Sequence, residues 1–425
     1  MGARTILLCV ALVAGCGAQQ PSDPMQVLGQ MRQKLAENVK RLPNFLCTEM
    51  VDRSNFHAES KGASCSELGE AKRLHSTDRL RLDVGIANNH EIYSWVGEGR
   101  FGDQSLGDLV KTGTTATGSF SSFLSAIFAT DAATFGYQGE ADWNGRKALN
   151  YTFQVPLTGS GYTLSSLMVS RRVAYGGTFS IDAQTLDLLQ LEIRADAIPP
   201  ELKMCSTSTV LIYKKVHLNQ QDFLLPSEGT TRVINTNGSQ SINRTVFSGC
   251  HQFLGESKLV FDDQPADGTA AQKAKVINLE LPAGKSLFTE LAENIDPNSA
   301  AAGEAIKGRL TNPLDIPALH LTIPKGTLLN GRLCELFVQY DPLKAIELGL
   351  KWETMEFQGN LYPLHLALDA ALPDTAKVRD VQARAHPSGV FADPSDENTG
   401  YFFFLAIKKH YQIPAGFESI WIIRP

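Results

Sequence analysis

Apolar and polar residues alternate along several stretches of the first 250 residues. This period of two predicts strands with one buried and one solvent-facing side. It is clearest in three runs: Leu80, Leu82, Val84 and Ile86; Leu149, Tyr151, Phe153 and Val155; Leu189, Leu191 and Ile193. Turn signals lie between such runs at Asn144-Gly145, Gly176-Gly177 and Asn237-Gly238. Pairs of this kind are typical of hairpins, so we predict a large meandering antiparallel sheet.

Two other segments have a period close to that of a helix. Asp23 before Pro24 predicts a helix start, and apolar residues then recur to Leu42 and end at Pro43. The second segment, residues 119–135, starts with Ser119 as a candidate cap. Its apolar residues recur at helical spacing and predict one face formed by Phe120, Phe123, Leu124, Ile127 and Phe128.

Together these patterns predict a mainly β protein with few helices, of the α+β class. Its first domain, residues 19–262, would be an antiparallel half-barrel with helices packed into the concave side. Such an interior is either filled by side chains or left open for a ligand. If it is open, the face from Phe120 to Phe128 is the candidate surface for an apolar ligand.

A polar, turn-prone tract at residues 263–275 predicts a linker. Beyond it, residues 276–425 contain three similar tetrads at 281–284, 323–326 and 413–416, each with Pro second and Gly fourth. Proline and glycine in this spacing predict turns that lead into strands, here 328–337 and 417–423. We therefore expect a smaller all-β barrel or sandwich as the second domain.

Composition restricts the kinds of partner. The chain has 425 residues, 43% hydrophobic and 20% charged, with a net charge of −6. Its length favours two domains. Its basic residues are not clustered, which argues against a nucleic-acid partner because phosphate binding requires grouped Lys and Arg.

The first residues predict export. A basic start at residues 1–4 precedes an apolar run at 5–13, far shorter than the roughly 20 residues of a membrane-spanning helix. We predict a signal peptide over residues 1–18, and two processing routes stay open. Val13-Ala14-Gly15-Cys16 resembles a lipobox, whereas Cys16-Gly17-Ala18 suits ordinary cleavage before Gln19. The product is either anchored to the outer membrane or cell surface through a lipid on Cys16, or free in the periplasm.

Export to an oxidising compartment predicts disulfides. Neighbour pairing favours Cys47 with Cys65 and Cys205 with Cys250, and leaves Cys334 as a small buried apolar residue. The cysteines and histidines do not have the spacing of zinc ligands, so we predict no metal site.

Catalytic motifs are weak. The glycine spacing at residues 97–102 matches a dinucleotide loop, but the helix that should follow is not indicated, so a surface turn is favoured and no cofactor is predicted. Four acidic residues, Asp182, Asp187, Glu353 and Glu356, could assemble in space as in a hydrolase, although solvated sheet faces explain them better. The sequence favours a non-enzymatic protein over an enzyme.

Three resemblances can be stated from short phrases. Residues 177–182, Tyr213 and residues 224–227 are similar to strand phrases of LolA-like exported lipid and lipoprotein carriers. This implies a carrier-like fold for the first domain. Residues 323–332 resemble, more faintly, a phrase of TrbI-like β-barrels. The whole chain, through residues 42–47, resembles Acidobacteria-type exported proteins of unknown function, a likeness that implies no activity.

The leading hypothesis is an envelope protein that binds a lipid or other apolar ligand in the first domain and docks through the second. The alternative is a structural or assembly protein of the envelope that contacts other envelope proteins and holds no small ligand. A hydrolase is the third. In all three, membrane contact is expected only through a lipid on Cys16.

Overall fold

The computed structural model describes residues 23–57, 65, 73–87, 90–98, 101, 105–166, 169–252, 275–277, 279, 281–369, 389–393, 396–405 and 411–425. The predicted signal peptide, its Cys16, and residues 263–274 of the predicted linker lie outside this set. Among the residues described, no helix combines the length and the apolar character needed to span a membrane.

The described chain is mainly β with a few helices, as the sequence predicts. Its α-helices are α1 (Pro24–Arg41), α2 (Leu106–Leu109) and α3 (Ser122–Phe128). The first half contributes β1 (Phe45–Phe56), β2 (Leu74–Ala87), β3 (His90–Trp95), β4 (Thr134–Trp143), β5 (Arg146–Val155), β6 (Thr163–Ser166), β7 (Val169–Arg172), β8 (Ala174–Asp182), β9 (Leu188–Asp196), β10 (Met204–Leu218), β11 (Gln221–Asn235) and β12 (Gln240–Gln252).

Ten of these strands form one curved run in the order β4-β5-β8-β9-β10-β11-β12-β1-β2-β3, with every neighbouring pair antiparallel. Strands β6 and β7 form a separate hairpin. The predicted alternation of apolar and polar residues is confirmed in β5. All four of its predicted inward residues are buried: Leu149, Tyr151, Phe153 and Val155. The helices α1 and α3 pack on this side of the sheet in a shared core.

Helix α1 begins and ends where the sequence predicts. The Asp23 side chain accepts a hydrogen bond from the Met25 backbone N–H at 2.9 Å, and Pro24 occupies the first turn, where a missing N–H costs nothing. Its buried residues lie on one side: Val27, Leu28, Met31 and Leu35. The Tyr151 hydroxyl donates to the Pro24 carbonyl at 2.9 Å and so joins the helix start to β5.

The second half contributes β13 (Lys275–Val276), β14 (Ser286–Leu291), β15 (Ala305–Leu310), β16 (Leu314–Ile316), β17 (Leu321–Ile323), β18 (Leu328–Gln339), β19 (Ala345–Phe357), β20 (Asn360–Pro363), β21 (Leu366–Leu368), β22 (Gly389–Asp393), β23 (Asp396–Leu405) and β24 (Glu418–Ile423). It has its own apolar core, formed within residues 287–423. The sheet is not closed into a barrel.

The three proline–glycine tetrads are turns that feed strands, as predicted. In each, the residue after glycine donates its N–H to the proline carbonyl, and Gly284, Gly326 and Gly416 have φ near +80° to +86°. Glycine is therefore the third residue of each turn rather than its end. The turns precede β14, β18 and β24.

The halves are joined by backbone pairing, although the sequence suggests separate domains. Strand β18 pairs with β2, with Phe337 opposite Asp78. The Arg81 N–H donates to the Ala302 carbonyl at 2.8 Å. Arg332, on β18, donates to the Val96 carbonyl of the first half at 2.9 Å and to Glu353 beside it. Strands of both halves thus belong to one hydrogen-bonded sheet.

The disulfide pairing differs from the prediction. The same four cysteines are bonded, but Cys47 pairs with Cys250 and Cys65 with Cys205. Neighbour pairing fails because the chain order is not the spatial order: β12 closes against β1, which places Leu46 opposite His251. Cys334 is only half-buried and accepts a hydrogen bond from the Thr399 hydroxyl at 3.7 Å.

Two other sequence predictions need correction. Gly176-Gly177 is not a turn but lies inside β8, where a Cβ on Gly177 would stand 1.8 Å from the Glu192 carbonyl oxygen. Glycine is required there by the close approach of β9. The helix predicted over residues 119–135 spans only Ser122–Phe128, because β4 begins at Thr134.

Candidate functional site

The concave side of the first half contains a cavity of about 730 Å³. Its walls are the 113–119 loop, helix α3, the segment 161–166 that includes β6, and the inner faces of β8, β10 and β11. A volume of this size lies within the usual range of small-molecule sites. The half-barrel is therefore neither wholly filled nor wholly open.

Three aromatic rings form one wall of this cavity. Phe123 from α3 packs edge-on against Tyr162 at 5.6 Å between ring centroids and against Tyr175 at 6.4 Å. The Tyr162 hydroxyl is 3.2 Å from the Thr207 hydroxyl, which fixes the ring against β10. Burial raises the pKa of Tyr175 to about 12, so this side chain is neutral at physiological pH.

Hydroxyl groups form most of the remaining wall. Seven threonines and four serines line the cavity: Thr114, Thr115, Thr117, Thr163, Thr207, Thr209, Thr231, Ser119, Ser122, Ser165 and Ser166. Thr209 and Thr231, on adjacent strands, lie within hydrogen-bonding distance of each other at 3.1 Å. The lining of described residues contains no charged side chain. It suits a ligand with both apolar and neutral polar parts.

The 113–119 loop is held by buried polar groups behind it. The Glu91 carboxyl group accepts hydrogen bonds from the backbone N–H groups of Gly118 at 2.5 Å and Phe120 at 3.0 Å. The Asn243 amide donates to the Thr114 carbonyl at 2.7 Å. Arg53 donates to the Thr112 carbonyl at 2.6 Å and is paired with Asp78. The loop is therefore fixed at both ends.

Glu49 is the feature that the sequence interpretation missed. It lies on β1, is 6% exposed, and its Oε2 atom has no hydrogen-bond partner among the described residues. Burial, helped by the nearby Glu91 carboxyl group, raises its pKa from 4.5 to about 8. The signal was present, because the alternating positions Phe45, Cys47, Glu49, Val51 and Arg53 lie on the buried side of β1, and Glu49 is an acidic residue between apolar neighbours on that side.

The five predicted ligand-binding residues are only partly brought together, since Phe123 packs against the core that contains Leu124, Ile127 and Phe128. Phe123 lines the cavity. The other four are at most 3% exposed: Phe120, Leu124, Ile127 and Phe128. Phe120 precedes α3 and packs against Phe45 and Phe247 in a different core from its helix neighbours. These four side chains are core residues. Phe120 lies two residues before α3, and the apolar side of α3 packs against the sheet.

Two of the candidate hydrolase carboxylates, Asp187 and Glu353, form ion pairs with basic side chains. Asp187 pairs with Lys34 at 2.6 Å and Lys215 at 3.0 Å. Glu353 pairs with Arg332 at 2.9 Å. These ion pairs account for both acids as structural groups.

Asp182 closes the β8–β9 turn. Burial acts to raise its pKa, but hydrogen bonds from the Thr185 and Gln184 backbone N–H groups outweigh burial and lower it. Of the glycine motif at 97–102, Gly97 lies in the turn after β3, and residues 99, 100 and 102 lie outside the described set. No group of three His, Cys, Asp or Glu side chains in the described ranges could hold a metal ion.

A second cavity of about 350 Å³ lies where the two halves meet. Its walls include Trp95 and Lys111 from the first half and Glu335 and Lys351 from the second. Burial, with nearby Glu347 and Asp78, raises the pKa of Glu335 to about 7, and Arg53 and the Thr112 hydroxyl oppose this. The Thr112 hydroxyl lies 3.5 Å from the Glu335 carboxyl oxygen and links the loop region to β18.

Comparisons with known proteins give a likeness of fold only. No protein-family model and no curated protein matches the chain. It is similar in structure to a domain described as an outer membrane lipoprotein-sorting protein from Vibrio parahaemolyticus, with 11% identity, a TM-score of 0.29, and coverage of 56% of this chain and 96% of that one.

Two further solved structures are similar. A DUF1329 family protein from Desulfovibrio piger ATCC 29098 has 11% identity and a TM-score of 0.28, covering 57% of this chain and 98% of its own. A LolA superfamily protein from Nitrosomonas europaea has 9% identity and a TM-score of 0.25, covering 56% and 98%. The predicted LolA-like resemblance is thus found again over about 56% of the chain. At these scores it carries no argument about ligand or activity.

Proposed function

We propose that this protein is an exported, non-enzymatic envelope protein that binds a lipid-like ligand in the cavity of its first half. The observation that carries the proposal is the cavity itself, about 730 Å³ on the concave side of the sheet, with an aromatic wall and an uncharged lining. Burying an apolar chain in such a space is favourable by about 25 cal/mol per Å² of apolar surface removed from water.

The test blocks the cavity without changing the core. Ala126 lines the cavity on α3, whereas Ala129, at the end of the same helix, is exposed and does not. We expect the wild-type protein to bind the apolar fluorescent probe N-phenyl-1-naphthylamine with saturation near one equivalent. Ala126→Trp should weaken this binding at least tenfold, because the indole occupies the ligand space.

Ala129→Trp is the matched control and should bind like the wild type. Circular dichroism melting of both variants establishes that they fold. Equal probe binding by folded Ala126→Trp and wild type would refute a ligand site in this cavity.

For the second half we propose the docking role. Support comes from two leucines that precede or start β18, Leu319 and Leu328, which are both more than 40% exposed and which a partner surface could cover. Replacing Leu319 and Leu328 by lysine should remove cross-links to envelope proteins in intact cells while probe binding is kept. Unchanged cross-linking would exclude these leucines as the contact.

A further inference from the structure

We propose that the ligand of the cavity is an uncharged amphiphile whose hydroxyl-bearing end lies beneath the 113–119 loop against Glu49. This inference rests on the proposed function and names the class of ligand. It divides the site into an apolar part, beside Phe123, and a polar end, beneath the loop.

The described part of the cavity wall carries no charged side chain. Each of the 23 described lining residues is uncharged, and the polar ones are mainly hydroxyls. An ionised head group buried against them would lose its hydration without gaining a counter-ion, which is strongly unfavourable. A neutral ligand with hydroxyl or carbonyl groups loses little, because threonine hydroxyls both donate and accept.

A small void adjoins the cavity. It shares six lining residues with the cavity: Thr114, Thr115, Ala116, Ser119, Thr209 and Thr231. Its volume is about 20 Å³, and Glu49 forms part of its wall. A void needs about 10–15 Å³ to hold one water molecule, so this one has room for a single hydroxyl group.

Glu49 gives that hydroxyl a partner. The carboxyl group is nearly fully buried, and its Oε2 atom has no partner among the described residues. Leaving a buried polar atom unpaired is unfavourable, and a hydrogen bond from a ligand hydroxyl would recover that loss. With a pKa of about 8, Glu49 is mostly protonated at pH 7 and can donate as well as accept.

The charges behind the loop disfavour an anionic ligand. The ionisable groups around Glu49 are Glu91 and Tyr93 on β3. Burial, helped by the Glu91 carboxyl group, also raises the pKa of Tyr213 on β10. Arg53, farther along β1, is already paired with Asp78. A carboxylate or phosphate head group at this end would therefore meet carboxyl groups and no free cation among the groups described here.

Three ligands with the same C18 chain test this inference. Monoolein has a hydroxylated neutral end, methyl oleate has a neutral end without hydroxyls, and oleate is an anion. Each is used below its critical micelle concentration to displace N-phenyl-1-naphthylamine from the full-length protein at pH 7. We expect monoolein to displace the probe at about tenfold lower concentration than oleate and about fivefold lower than methyl oleate.

Variants at Glu49 separate a ligand contact from a structural role. Glu49→Leu should remove the preference for monoolein over methyl oleate, while Glu49→Gln, which keeps a donor and an acceptor, should preserve it. The affinity of the wild type for oleate should be lower at pH 9 than at pH 7, because Glu49 becomes ionised over this range and repels the anion. This decrease should be absent in Glu49→Gln. Glu140→Gln, at an exposed ion pair with Lys147, is the control and should behave like the wild type.

The outcomes are distinct. Oleate binding as tightly as monoolein, or an unchanged preference in folded Glu49→Leu, would overturn this inference, the void then holding water only. Probe binding would survive in that case, so the proposed function would stand. Absence of binding by the probe and by all three lipids would overturn both.

Discussion

At the scale of the residue, Glu49 gives the clearest link between burial and behaviour. The folded protein holds its pKa near 8, whereas the unfolded chain leaves it near 4.5. A carboxyl group whose pKa is raised on folding stabilises the folded state most at pH values below its pKa in the unfolded chain. Between pH 4.5 and pH 8 the group is deprotonated in the unfolded chain but protonated in the folded protein. Each pH unit in this range therefore lowers the free energy of unfolding by roughly 1.4 kcal/mol.

We therefore predict that Glu49→Gln and wild type have similar free energies of unfolding at pH 5. The variant should become the more stable of the two by pH 8, because glutamine carries no proton to lose. Urea unfolding at pH 5, 6.5 and 8 measures the difference. A gap that stays constant over this range would mean that Glu49 is not desolvated.

A second residue-scale prediction concerns glycine. Gly177→Ala forces a Cβ against the Glu192 carbonyl of β9 and should destabilise the fold by about 3 kcal/mol, since neither strand can move alone. Gly29→Ala, on the exposed side of α1 with nothing within 4 Å, should instead stabilise it by about 0.5–1 kcal/mol. Chemical denaturation measures the free energy of unfolding of both variants. A loss of less than about 1 kcal/mol in Gly177→Ala would contradict the close approach of the β9 backbone to Gly177.

At the scale of the element, the periodicities carry most of the prediction. Helix α1 follows from one cap and one apolar stripe, and β2, β5 and β9 follow from their alternation, because these are local rules. The length of α3 could not be predicted, since the apolar residues at 119–135 fit a helix and a strand start equally well. Phe135 belongs to β4 and stacks on Phe128 of α3.

The disulfides show the limit of local reasoning in another way. Which cysteines meet depends on strand order, and closure of β12 onto β1 joins residues 203 positions apart. We predict that peptides from a non-reducing digest link Cys47 to Cys250 and Cys65 to Cys205. Mass spectrometry of the linked peptides tests this, and a Cys47–Cys65 peptide would contradict the β12–β1 closure.

At the scale of the whole molecule, the junction between the halves is built around Arg332. This residue is 5% exposed, and its guanidinium group binds Glu353 and donates to the carbonyls of Val96 and Gly303. Sequence alone could not place it, because its partners come from three separate segments. The linker and the separate second domain remain predictions. The second half is nonetheless hydrogen-bonded to the first half of the same chain.

We predict that Arg332→Met lowers the free energy of unfolding by about 3 kcal/mol, because the carbonyls of Val96 and Gly303 lose their buried donor and Glu353 loses its ion pair. Lys351→Met removes a more exposed charge near the same Glu353 and should cost less than about 1 kcal/mol. Urea unfolding monitored by tryptophan fluorescence compares the two. Equal losses would show that Arg332 does not hold the junction.

We propose that the first half carries a neutral lipid-like molecule. Native mass spectrometry of the protein purified from the periplasm of expressing cells, followed by organic extraction, tests this most directly. We expect about one equivalent of an uncharged, hydroxyl-bearing lipid that is lost in Ala126→Trp and kept in Ala129→Trp. A bare polypeptide mass for the wild-type protein under conditions that preserve bound lipid would contradict it.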